Sequence, residues 1–356
     1  MSAIESLNNY ISKVKPLDLS WQTKVEVYLD KLALPHGGLG DLMHVATQLV
    51  STSKNLAPQV SSKCVVIMAA DHGVAEEGVS SLPRVTDTLV KTILNGGAAV
   101  NILANEAKCD LKVVDMGVAG SLKSCIQDDN FFSKYINKTG TANFTKGPAM
   151  SREDCLTSIL TGVEVAEGLS HRYDVFGVGD VGIGNTTSAA AIASVLLDLE
   201  VEKVTIYGSG MTKDHWMHKC EVVKKAIDFH DLSSKDSVLK ILTAVGGYEI
   251  AATIGMIIGA AARQRLLILD SFTSGVAALC AIKICPEISD YLIASHQTSE
   301  PGHEIILHYL KKKPLLKLNI GIAQGAGVPL AFNLIDNTAA LLRHLNTTEE
   351  LMAKEE

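Results

Sequence analysis

The residues best suited to chemistry in this chain lie in Asp180-Val181-Gly182-Ile183-Gly184-Asn185-Thr186-Thr187. An apolar run over 174–179 precedes them and reads as a buried strand. Ser188-Ala189-Ala190-Ala191-Ile192-Ala193 follows and reads as the start of a helix. Glycines 179, 182 and 184 permit a sharp turn that brings backbone N–H groups close to a ligand. Asn185, Thr186 and Thr187 add side-chain donors where a helix N-terminus already carries partial positive charge. The pattern suits a phosphate. Asp180 would repel one, so it serves a different part of the ligand. An ordinary capped strand–helix turn uses the same residue types, and the turn alone does not separate the two readings.

Similar clusters close nearly every apolar run: Asp71-His72-Gly73, Asp115-Met116-Gly117, Gly179-Asp180, Gly208-Ser209-Gly210, Asp270-Ser271, Ser295-His296-Gln297 and Gln324-Gly325-Ala326-Gly327. In doubly wound sheets ligands sit beyond the carboxyl ends of the strands, so such convergence points to a pocket. Lys219, after Gly208 and Ser209, is placed to neutralise a phosphate, although lone helical lysines are commonly just solvated. Ser295, Ser299 and Gly302 could supply hydroxyls and N–H groups ahead of a helix at His303, or form a plain capped turn. Asp71 and His72 read equally as an acid/base pair and as a cap. Arg84, a cation at a helix start, is poorly placed for the dipole, which favours a ligand or partner contact. A nicotinamide-dinucleotide enzyme fits the fold class, but the first strand runs into Asp71-His72-Gly73-Val74-Ala75-Glu76-Glu77 rather than G-x-G-x-x-G.

The elements that position these residues alternate. Strands are expected at 64–69, 111–114, 175–178, 204–207, 266–269 and 316–320, with 291–294 as a further candidate. Helices are expected at 84–107, 152–169, 188–197, 216–229, 248–263, 275–284, 303–310 and 328–345. Strands without polar alternation, separated by helices, predict an α/β fold: a mostly parallel, doubly wound sheet of about six or seven strands. Residues 1–60 and 328–356 are helical in pattern and are expected to pack as a small subdomain beside an α/β core over 61–327. Residues 120–147 read as a long excursion near the site.

Composition narrows the function classes. The 356 residues are 47% hydrophobic and 20% charged, as in a well-packed enzyme-sized core, and the net charge of −7 gives no basis for nucleic-acid binding. Lys311-Lys312-Lys313 is too short for a basic patch. The apolar stretch 250–262 is too short for a membrane span. Residues 1–30 carry no charged-then-apolar leader, and seven dispersed cysteines without a CxxC pair read as reduced thiols, so a cytoplasmic protein is expected. The eleven histidines show no zinc-ligand spacing, and no metal or cofactor is expected.

Several strings together resemble one family: Ala70-Asp71-His72-Gly73-Val74 with Glu77-Gly78-Val79, Gly96-Gly97-Ala98-Ala99, Gly147-Pro148-Ala149-Met150-Ser151, the 177–187 segment, Val245-Gly246-Gly247-Tyr248-Glu249, and Ser295-His296 with Ser299-Glu300. Over roughly residues 30–340 the chain is similar to the nicotinate-nucleotide:dimethylbenzimidazole phosphoribosyltransferases. The resemblance implies a dimeric α/β enzyme of cobamide synthesis that moves 5-phosphoribose from nicotinate mononucleotide to an aromatic lower-ligand base. It places the phosphate at 184–187 with help from Lys219. Leu82, Val90 and Met211 become the candidate walls of a flat acceptor slot. Leu82 and Val90 are apolar where polar residues can occur, which inclines the acceptor toward a phenol. Gly96-Gly97-Ala98-Ala99, read as helical, would permit close helix approach, in a dimer or equally in internal helix packing.

The sequence departs from the family at positions that matter. The family takes the acceptor's proton with a glutamate in a G-E-G-[ST]-G loop, whereas Ala323-Gln324-Gly325-Ala326-Gly327 places an amide there. An amide does not accept a proton at neutral pH, and losing a general base costs on the order of 10²–10⁴ in rate. Asp180 stands for a glutamate, Leu34-Pro35-His36 for lysine-proline-proline, and Ile206-Tyr207-Gly208 for glycine-arginine-glycine. Some relatives pair two unlike subunits to make phenolic cobamides. The departures therefore suggest a base-deficient subunit working with a catalytic paralogue, with a self-sufficient homodimer as the alternative.

Overall fold

The computed structural model describes residues 2–207 and 211–353. Its main strands are β1 Lys63–Ala70, β2 Asp110–Gly117, β3 Phe131–Ser133, β4 Val175–Val181, β5 Leu266–Leu269 and β6 Leu292–Ala294. They form one sheet in the order β3-β2-β1-β4-β5-β6, parallel throughout. β1 lies at its centre with every residue buried. Its alternate side chains feed two cores: Cys64, Val66 and Met68 on one face, Val65, Ile67 and Ala69 on the other. That double burial is why the run is apolar without alternation.

Helices Arg152–Leu169, Asn185–Leu197, Tyr248–Ala262 and Phe272–Ile284 cover the first face. Leu42–Ser53, Thr86–Leu94, Ala99–Glu106 and Val328–His344 cover the second. A third, smaller cluster joins Val25, Leu29, Leu32, Ala46 and Val50 to Leu342 near the end of the last long helix. Most of that helix lies on the sheet through Val328, Phe332 and Ile335. The first helix, Ala3–Ile11, packs on Arg152–Leu169 instead, with the Tyr10 hydroxyl donating to Glu167 at 2.7 Å.

The strand order fixes where a ligand can enter. From β1 the chain runs outward through β2 and β3, then returns to the other flank of β1 as β4 and continues through β5 to β6. Connections leave β1 and β4 in opposite directions, which opens a crevice at their carboxyl ends. Asp71 follows β1 there, and Asp180 lies on β4.

Several elements differ from the sequence expectation. Residues 204–207 form no strand: Val201–Val204 is one helical turn, and the place beside β4 is already filled by β5. The candidate 316–320 shrinks to a two-residue strand, β8 Leu316–Lys317, paired with β7 His296–Gln297 beyond the edge of the main sheet. The helix expected over 84–107 is two helices, because Gly96 takes a left-handed φ of 78° and stops the first. Gly96-Gly97-Ala98-Ala99 therefore lies at a helix break, not on a helical face, and supplies no helix-approach surface. β3 lies inside the excursion 120–147, and Val238–Val245 forms a helix where the sequence raises no expectation of one.

Candidate active site

At the β1/β4 crevice lies a cleft of about 240 Å³. β4 delivers Asp180 to its floor. The turn Gly182-Ile183-Gly184 follows, and the helix starts at Asn185, three residues earlier than expected, with Gly184 as its N-cap at φ 96°. A side chain at Gly182 would put its Cβ 2.0 Å from the Ala70 carbonyl oxygen, and Gly184 lies against His72. The turn is pressed against the end of β1, so space requires Gly182 to be glycine, and its left-handed angle favours glycine at 184.

Asn185 and Thr186 line the cleft. Thr187 does not: it is fully buried, and its hydroxyl has no partner among the described residues. Lys219 reaches in from the helix Lys213–Phe229, 2% exposed, and donates to the Thr186 hydroxyl at 2.8 Å. Burial lowers its pKa to about 8, partly opposed by the Glu300 carboxylate. No carboxylate oxygen lies within 4 Å of its ammonium among the described residues. A buried, unpaired cation beside a helix N-terminus is suited to hold an anion.

Asp180 accepts from Asn185 Nδ2 at 2.6 Å and from the Ser271 hydroxyl at 3.2 Å. Burial, with the Glu249 carboxylate adding to it, raises its pKa to about 7. Gln324 also lines the cleft, beside Ala323 and at φ 69°, on the loop packed against Gly179 of β4. Leu82 and Met211 line the cleft as expected. Val90 is buried in the second core, and its neighbour Leu89 takes the lining position. Val79, Val181 and Ile183 complete an apolar lining, with the hydroxyls of Ser80 and Ser81 near it.

The second expected phosphate loop is not assembled with the first. Ser295 is buried and bonded to His296 Nδ1 at 2.9 Å, Ser299 is exposed, and Gly302 packs under Val204 and Phe272. Gly208 and Ser209 lie outside the described residues. Glu300, unread as a site residue, is electrostatically coupled to both Lys219 and Asp180, and burial raises its pKa. Its place in Ser299-Glu300-Pro301-Gly302 was the available signal. Asp71 and His72 do not pair with each other. Asp71 accepts from Thr86 Oγ1 at 2.6 Å and Ala119 N at 2.7 Å, while His72 Nε2 meets Glu249 Oε1 at 2.6 Å, both fully buried. Arg84 faces Glu76 at 3.8 Å on the surface.

Among the described residues no group of His, Cys, Asp and Glu could hold a metal ion, and no helix is long and apolar enough to cross a membrane. The lining brings together a buried cation beside a helix N-terminus, several apolar side chains, a carboxylate and an amide.

Known proteins resemble this chain over nearly its whole length. A family described as "Phosphoribosyltransferase" matches residues 14–352. The nicotinate-nucleotide–dimethylbenzimidazole phosphoribosyltransferase of Desulfotalea psychrophila is 40% identical over 347 residues, covering 97% of each chain. That of Pelodictyon phaeoclathratiforme is 39% identical over 352 residues, covering 96% of each. The crystal structure of the corresponding protein from Thermus thermophilus superposes with a TM-score of 0.87 at 34% identity, covering 94% of this chain and 98% of that one.

Proposed function

Because this chain belongs to the nicotinate-nucleotide–dimethylbenzimidazole phosphoribosyltransferase family, we propose that its cleft takes nicotinate mononucleotide and an aromatic lower-ligand base and serves phosphoribosyl transfer between them in cobamide synthesis. The carrying observation is the single cleft that unites Lys219, Thr186 and Asn185 with the apolar slot of Leu82, Leu89 and Met211. The 5-phosphate sits against Lys219 and the Gly182–Gly184 turn. The ribose then spans toward the slot, with C1′ facing the acceptor.

In the transfer, the bond from C1′ to the pyridinium nitrogen breaks and its electron pair returns to nicotinate, a leaving group that needs no proton. An acceptor lone pair forms the new bond to C1′, and the acceptor's proton must leave. Gln324 stands where that proton would go and cannot take it. We therefore read the chain as a base-deficient subunit that binds substrate and works in a dimer with a catalytic paralogue. Apolar Leu82 favours a phenolic acceptor over a more polar one.

Asp180 supports a second reading, an active homodimer. It is the carboxylate lining the cleft, and a pKa of about 7 suits a general base near neutral pH. A nicotinate-release assay separates the two. The first reading expects turnover only when the protein is mixed with a paralogue bearing Glu at the 324 position. The second expects turnover alone, lost on the order of 10²–10⁴-fold in Asp180→Asn.

A further inference from the structure

The loop carrying Gln324 is held in an unusual way. Gln324 and Gly325 are consecutive left-handed residues, at φ 69° and 80°. For a residue with a Cβ that conformation costs roughly 1–2 kcal/mol and persists only when the surroundings enforce it. Beneath the loop runs Gly179 of β4, where a Cβ would fall 2.4 Å from Gly325 N. Above it stands Asp270, the residue after β5. Its Oδ2 accepts from Gly325 N at 2.9 Å and its Oδ1 from Gly327 N at 2.8 Å.

Asp270 is itself anchored. Its backbone N–H donates to Ser274 Oγ at 3.0 Å, at the start of the helix Phe272–Ile284, and its carbonyl faces the Ser295 hydroxyl at 3.4 Å. Its side chain is fully buried, and no ion pair to a cation is made among the described residues. The titratable groups that face it make the position harder to hold, since Asp180 on β4 is another carboxylate and burial lowers the pKa of His296, packed under Gly327. A buried carboxylate in such surroundings is costly, and an apolar residue of similar size would favour stability. What the carboxylate provides is two parallel acceptors aimed at alternate N–H groups of one loop.

We propose that Asp270 is the positioning residue of the acceptor side: it latches the 324–327 loop in the conformation that turns residue 324 into the cleft, and so sets affinity for the aromatic acceptor without acting on the nucleotide seat. The acceptor half of this statement rests on the functional reading above; the latch itself does not. Burial raises the Asp270 pKa to about 7, with the two N–H bonds and the Asp180 charge acting in opposite senses, so the latch works close to the pH at which it would gain a proton.

The test combines hydrogen–deuterium exchange of the peptide spanning 322–328 with binding of dimethylbenzimidazole and nicotinate mononucleotide, on wild type and Asp270→Asn. Asparagine keeps the shape but presents an NH₂ to one of the two amides, so one bond is lost. Exchange at the loop is expected to accelerate at least tenfold. Dimethylbenzimidazole affinity should fall about tenfold while nucleotide affinity stays within twofold. Unchanged exchange, or equal loss of both affinities, would overturn the proposal. If Asp270→Asn does not fold, wild type decides it: Gly325 and Gly327 amides protected like β5 support the latch, and exchange at open-loop rates refutes it. Should wild type bind neither ligand, the functional reading falls, and the exchange result still judges the latch.

Discussion

The two sides of the cleft are built from different materials. The proposed nucleotide side is regular structure: the end of β4, a turn pressed on β1, and the first residues of a helix, with Lys219 fixed on a second helix. The proposed acceptor side is more irregular: it adds Leu89 on a helix and Met211 to two loop segments, residues 79–82 and 321–327, the second secured by one buried carboxylate. Of the departures from the family pattern, Gln324 falls on the second side and Asp180 on the first, while Leu34-Pro35-His36 and Tyr207 do not line the cleft. A site that carries Lys219, Asn185 and Thr186 but an amide at 324 is expected to retain substrate binding more fully than proton transfer.

The largest effect should come from breaking the rigid half. In Gly182→Ala the new Cβ meets the Ala70 carbonyl, a backbone atom that cannot step aside. The turn must move, costing about 1–3 kcal/mol of stability. Nicotinate mononucleotide binding should be abolished in calorimetry, and unaltered affinity would show that the turn is not the seat. Lys219→Met comes next. It removes a charged hydrogen bond, so nucleotide affinity should fall by about 1.5–3 kcal/mol. Its pH behaviour sharpens the point: the ammonium is the binding form, so wild-type affinity should decline as pH rises through about 8, whereas Lys219→Met should show no such decline. Leu82→Ala probes the loop half most gently. Leu82 is 58% exposed, so acceptor affinity should drop by only about 0.5–1 kcal/mol, with nucleotide affinity unmoved.

The rigid half was also the half legible in the sequence. The run into Asp180, the glycines, Asn185 and Thr186 follow from strand, turn and helix chemistry that acts over neighbouring residues. Thr187 was misplaced because the helix starts earlier than the alanine run suggests, which turns its side chain inward. Val90 was expected where Leu89 lies because the face that the helix Thr86–Leu94 turns to the cleft depends on its packing against the sheet. The strand expected at 204–207 has strand-like residues but no free neighbour, a fact set by topology. Asp270 and Glu300 stand in clusters that the sequence marks, but their roles are not legible there, since their partners lie 55 positions along the chain or on the helix Lys213–Phe229.

The central claim is that phosphoribosyl binding survives here while proton removal by this chain does not. Nicotinate release measured on purified wild type and on Gln324→Glu, each at saturating nicotinate mononucleotide and dimethylbenzimidazole, tests it directly. The substitution is nearly isosteric and restores a proton acceptor at the family's position. The expected result is negligible release by wild type and a gain on the order of tenfold or more in Gln324→Glu, within the 10²–10⁴ range of a general base and reduced by the other departures. Robust release by wild type, unimproved by the substitution, would contradict the claim and transfer the base's role to Asp180.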